Sequence, residues 1–269
     1  MLRLLITKFK KILLGLLMAG LIVSMNPFIN NQTVYADDYI KVTVEETIDV
    51  STTLQRACDV VIRPGEWSTK DSCKAGKRVY INEGVNWSAI PTDIPIRKDN
   101  DGYFISEADI NKKVAIRTYE VLLENGINVK LQESNSKSQD LNAAARLSNK
   151  SNPKLYLSFH HNYYEENSTG YFAIYNTNDL TGQTIANRLS DSLKNNPEAI
   201  PQKANRANTN NYIGELANLN STTTGVLLEL GFFSNKEELV KICSDEQTDY
   251  IANQLANEII NILNENILQ

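Results

Sequence analysis

Two apolar runs that each end in ionisable residues constrain this chain more than any other feature. Leu155-Tyr156-Leu157-Ser158-Phe159 leads directly into His160-His161-Asn162, and these are the only two histidines among 269 residues. Gly225-Val226-Leu227-Leu228-Glu229-Leu230-Gly231-Phe232-Phe233 has the same texture but carries an acid where the pattern calls for an apolar side chain. Continuous apolar runs of this length suit a sheet covered on both faces, because both sets of alternating side chains are then buried. A carboxylate within such a strand is costly unless it is paired, hydrogen-bonded or placed beside a metal. Strand ends that open into loops are where sheet proteins present acid–base groups and metal ligands.

Around these runs, strand-like and helix-like segments alternate from Arg78 onward. The expected fold class is therefore α/β, a single twisted mixed sheet flanked by helices on both faces over residues 78–269. Val79-Tyr80-Ile81 reads as its first strand. Ser106, with Asp109 three residues later, marks a helix start, and Asn125-Gly126 marks its stop. Further helices are expected over 141–149 and 180–193, after a Ser234 cap with Glu237 three residues on, and along the stripe Ile251, Leu255, Ile259 and Leu263. The Asn-rich stretch 202–219 reads as a long surface loop. Residues 37–77 have a different texture, with alternating Ile40, Val42 and Val44 and a short apolar run Val60-Val61-Ile62 before Arg63-Pro64-Gly65. They are assigned to a small N-terminal extension.

Residues 1–36 read as a signal peptide. Arg3, Lys8, Lys10 and Lys11 precede an apolar core from Ile12 to Met25, and Val34-Tyr35-Ala36 offers a small-residue cleavage site. A secreted or cell-wall-associated protein is expected, with membrane contact only through this segment. Its removal takes four of the 27 Lys and Arg and none of the 32 Asp and Glu, leaving 23 against 32. A net charge of −9 with no basic stripe argues against nucleic-acid binding. Of the three cysteines, Cys58 and Cys73 bracket a short loop and are candidates for a disulfide, whereas Cys243 lies near the apolar face of a helix.

His160 and His161 are adjacent on a strand end, so their side chains point to opposite faces and one of them reaches any given metal. Glu107 opens the Ser106 helix, where its charge matches the helix dipole. Glu229 has the surroundings of a general base, since an apolar wall raises a carboxylate's affinity for a proton.

From Arg78 to Leu268 the chain resembles the catalytic domain of the zinc-dependent N-acetylmuramoyl-L-alanine amidases of the Amidase_3 type. Glu107-Ala108-Asp109-Ile110-Asn111 resembles the family's acidic helix start. Ser158-Phe159-His160-His161-Asn162 matches its S-x-H-x-N strand, and Glu229-Leu230-Gly231-Phe232-Phe233-Ser234-Asn235 matches E-x-G-F-x-x-N. The resemblance implies Glu107 and His160 as zinc ligands, Glu229 as the catalytic residue and peptidoglycan as the substrate, cut between the muramoyl lactyl group and L-alanine. The family's first strand ends in D-P-G-H, whose histidine is a third ligand. The favoured alignment sets Asn82-Glu83-Gly84-Val85 there, so that Val85 replaces the ligand. An offset alignment sets Arg63-Pro64-Gly65-Glu66 there instead, with Glu66 as a possible oxygen ligand. A site with one ligand missing also fits a second reading, a degenerate homologue that binds peptidoglycan or a wall-enzyme partner without hydrolysis.

Overall fold

The computed structural model describes residues 56–66, 77–81, 84–132, 141–198, 200–210 and 213–268. The expected signal peptide, Glu83 and Cys73 lie outside them. The central sheet is built from β1 (Val60–Pro64), β5 (Val129–Leu131), β6 (Leu155–Asn162), β7 (Tyr171–Tyr175), β8 (Gln202–Thr209) and β9 (Thr224–Phe232), in the order β5-β1-β6-β9-β7-β8. β5, β1, β6 and β9 are parallel neighbours, whereas β7 runs antiparallel to β9 and parallel to β8. The mixed α/β sheet is the expected one.

Strand alternation divides the apolar residues between two helical layers. Val60, Ile62, Leu155, Leu157, Phe159, Val226 and Leu228 share the main core. Over that core lie α1 (Glu107–Glu124), α3 (Leu180–Ser192), α5 (Lys236–Cys243) and α6 (Asp245–Asn264). Their apolar stripes include Ile110, Val114 and Leu122 on α1 and Ile251, Leu255 and Ile259 on α6. Val61, Tyr156 and Leu227 face the other way and pack with Cys58 and with Leu216 of the short helix α4 (Gly214–Ala217). The helix α2 (Leu141–Asn149) joins α4 through hydrogen bonds between Asn218 and Asn142 and between Asn149 and the Asn218 carbonyl.

Four expectations change. The run Val60–Pro64 is a central strand, paired on both sides with β5 and β6, so residues 37–77 are not wholly an appendage to the sheet. Its five residues are all buried, and a short buried run carries no period-2 signal to identify it. The run 79–81 is not the sheet's first strand. Arg78–Tyr80 (β2) pairs instead with Tyr103–Ser106 (β4) in a three-stranded antiparallel sheet completed by Arg97–Lys98 (β3). The stretch 202–219 contains β8 and α4; β8 is an edge strand paired only with β7, and polar residues suit an edge whose open side is not covered by another strand. Asn235, rather than Ser234, caps α5 by accepting from the Glu237 and Glu238 amides.

Candidate functional site

The carboxyl ends of β1, β6 and β9 meet the start of α1, the usual position for a site in an open α/β sheet. His160 stands opposite Glu229 in the β6–β9 register, and Glu229 stands opposite Phe172 of β7. Ser106 caps α1 by accepting from the Asp109 amide, which fixes the first turn and with it Glu107. Glu107 Oε1 lies 3.3 Å from His160 Nδ1. The structure thus brings Glu107 against His160, and His160 beside Glu229.

Val85 is not part of this group. It is 8% exposed in the apolar core, whereas Glu66 follows β1 directly and lies in the turn beside the site. The placement favours the offset alignment over the first one: Arg63-Pro64-Gly65-Glu66 occupies the end of the strand beside β6, with Glu66 in the turn next to the site. Glu66 adopts a left-handed φ of 60°. A Cβ on Gly65 would fall 2.3 Å from His160 Nε2, so this turn passes close over the imidazole only because residue 65 is glycine.

Two residues that the sequence did not single out organise His160. Glu215, carried by α4 within the supposed loop, presents Oε1 3.2 Å from His160 Nε2. Its Oε2 accepts from Arg63 NH1 at 2.7 Å, from the Tyr156 hydroxyl at 2.9 Å and from Ser158 Oγ at 2.9 Å. Arg63 ends a buried strand at 2% exposure, and a guanidinium there requires a buried acid. That requirement is the signal that could have pointed to a partner such as Glu215. Burial opposes the charge on Glu215, but Arg63 and His160 outweigh it and hold the acid down at about 2. Burial likewise opposes a charged His160, but hydrogen bonds and charge from Glu107 and Glu215 hold it well above the usual imidazole range.

On the other face, His161 Nδ1 lies 2.7 Å from Asn111 Oδ1, an acceptor, so Nδ1 carries the proton. Asn111 donates in turn to the Gly65 carbonyl and to Glu107 Oε1, which links the β1 turn to α1. Burial brings His161 down to about 4 and keeps it neutral. Glu229 retains some solvent exposure, yet its Oε2 is buried and has no hydrogen-bond partner among the described residues. Burial, with Glu107 and Glu215 adding to it and His160 opposing, raises its carboxyl to about 8.

The donor set does not fit a resident zinc. A catalytic zinc uses three protein ligands, yet among the described residues no three His, Cys, Asp or Glu side chains are grouped to hold a metal. Both ring nitrogens of His160 already face oxygens of this chain. Beside the site, a depression of about 460 Å³ is lined by Asn162, Tyr164, Phe172, Lys203, Asn208 and Phe232. A larger one, about 580 Å³, lies between α1 and the start of α6, where Lys113 pairs with Asp245 and Arg117 with Asp249. Its residues take no part in the chemistry described above.

The family model for N-acetylmuramoyl-L-alanine amidase matches residues 97–261, a span that holds Glu107, His160, Glu215 and Glu229. The chain belongs to the N-acetylmuramoyl-L-alanine amidase family. Among its relatives is the germination-specific N-acetylmuramoyl-L-alanine amidase of Bacillus subtilis, 26% identical over 221 residues that cover 74% of this chain and 88% of that protein. Solved amidases share the fold. The CwlD amidase from Clostridioides difficile, in complex with the GerS lipoprotein, has a TM-score of 0.58 and 19% identity over 78% of this chain and 100% of that one. AmiC2 of Nostoc punctiforme has a TM-score of 0.58 and 16% identity over 77% and 98%. These matches favour a cell-wall amidase over the binding-only reading.

Proposed function

We propose that this amidase hydrolyses the amide between the muramoyl lactyl group and L-alanine of peptidoglycan, with Glu229 as its catalytic residue. The observation that carries the reading is the position of Glu229: an acid inside a buried strand, opposite His160, with a buried and unpartnered Oε2. In the proposed step, water adds to the amide carbonyl carbon as Glu229 takes its proton. The same proton passes to the alanine nitrogen as the C–N bond breaks, leaving a muramoyl carboxylic acid and a free amine. The open depression beside Asn162 and Phe172 supplies apolar and amide surface to seat the substrate next to this carboxyl. No step is assigned to a metal, because among the described residues no three-ligand site is assembled. Export fits this substrate, and residues 1–36 are proposed to serve as a signal peptide cleaved after Ala36.

The test is release of stem peptide from purified sacculi and from a muramyl peptide, followed by mass spectrometry. Wild-type chain is expected to give the free L-alanine amine, and Glu229→Ala to lose on the order of 10²-fold or more in rate, the scale of general acid–base catalysis. A folded wild-type chain that releases nothing would overturn the proposal, as would a Glu229→Ala variant of undiminished rate.

A further inference from the structure

We propose that Arg63 and Glu215 are positioning residues that hold His160 where a metal would otherwise hold it, and that this amidase carries no divalent cation at the carboxyl ends of its strands. The inference concerns how the site is assembled and stands whether or not the hydrolysis proposed above occurs.

A ligating imidazole gives one nitrogen to the metal and uses the other to donate to an acceptor. His160 has neither nitrogen to spare, since Nδ1 faces Glu107 Oε1 at 3.3 Å and Nε2 faces Glu215 Oε1 at 3.2 Å and Ser158 Oγ at 3.1 Å. The two acids that face His160 are committed as well: Glu215 Oε2 receives three donors, and Glu107 Oε1 also receives the His161 amide and Asn111 Nδ2. The Gly65 backbone lies close over the ring, since a Cβ there would fall 2.3 Å from Nε2. Arg63 and Glu215 are 2% and 1% exposed, so the Glu215 carboxylate is held by a buried guanidinium rather than left free to take a cation.

This network shares the sheet face of Glu229, because Arg63, Tyr156, Ser158 and His160 occupy alternate positions on β1 and β6. It therefore fixes the imidazole opposite that carboxyl, and it does so from residues 152 positions apart in the chain.

Two measurements on the purified full chain test the proposal, and neither reads activity. After equilibration with zinc chloride and desalting, elemental analysis should find far less than one zinc per chain, and the melting temperature should be unmoved by zinc or by a chelator. One zinc per chain, lost in Glu107→Gln, would overturn it. The second measurement is the ¹H–¹⁵N spectrum of the histidine rings. Wild type should show slowly exchanging protons on both nitrogens of His160. The double variant Arg63→Met with Glu215→Leu replaces the buried pair by apolar groups of similar bulk, a change that buried pairs tolerate far better than loss of one partner. It should lose the Nε2 proton to exchange, while the His161 resonance, set by Asn111, stays in place. An unchanged His160 spectrum in the double variant would show that Arg63 and Glu215 do not position the ring.

Discussion

Val85 and Glu66 offer a test at the scale of single residues. Val85 is packed in the apolar core, and Glu66 lies in the turn that follows β1. Val85→His buries an imidazole among aliphatic side chains, so the variant is expected to lose about 1–3 kcal/mol of stability to urea while its metal content stays unchanged. Uptake of zinc by that variant would show that the first alignment was the right one. The choice was hard to make from sequence because both phrases follow short apolar runs and both precede a tryptophan, Trp67 or Trp87. Only the pairing of Val60–Pro64 with β6 separates them. Glu107, His160 and Glu229 were legible for a different reason. Each is an ionisable residue where the local pattern asks for something else or begins a helix, and each sits in a phrase with its own spacing. Arg63 and Glu215 were not legible, because each accounts for the other only once the chain has folded.

At the scale of elements, α1 shows how a cap becomes part of a site. Ser106 Oγ accepts from the Asp109 amide and donates to Asp109 Oδ2, and Arg97 clamps both carboxylate oxygens of Asp109 at 2.6 Å. This cap was visible in the sequence as Ser106 with Asp109. The clamp was not, since Arg97 arrives from β3, a two-residue strand too short to show a period. Ser106→Ala is expected to cost about 1 kcal/mol in urea unfolding, the usual value of an N-cap serine. The loss should be smaller in an Asp109→Asn background, where the cap and its clamp are already weakened. Additive losses in the double variant would mean that the two side chains act independently. Among what was missed are the strand β8 and the place of β1 within the central sheet. β1 is uniformly buried and β8 is a polar edge strand, so neither shows the alternation by which a half-buried strand is recognised.

For the molecule as a whole, the question is how tightly the helical layer over the main core is docked, because α1 carries Glu107 on that layer. Lys113 of α1 donates to the Cys243 carbonyl at the end of α5 and to Asp245 at the start of α6, joining three helices at one corner. Cys243 itself is 0% exposed beneath them, and burial pushes its thiol up to about 12, with Lys113 opposing. The thiolate is the reactive form, so at pH 8 the folded chain presents almost none, and reactivity should rise as the pH approaches that value. In a chain with Cys58 and Cys73 replaced by serine, labelling of Cys243 by a thiol reagent at pH 8 then requires the layer to open. If that opening is global and costs about 5 kcal/mol, labelling in native buffer should be slower than in denaturant by on the order of 10³-fold or more. Labelling at a comparable rate in both would mean that α5 and α6 leave the sheet without global unfolding, and the rigid placement of α1 against His160 would then lack its support.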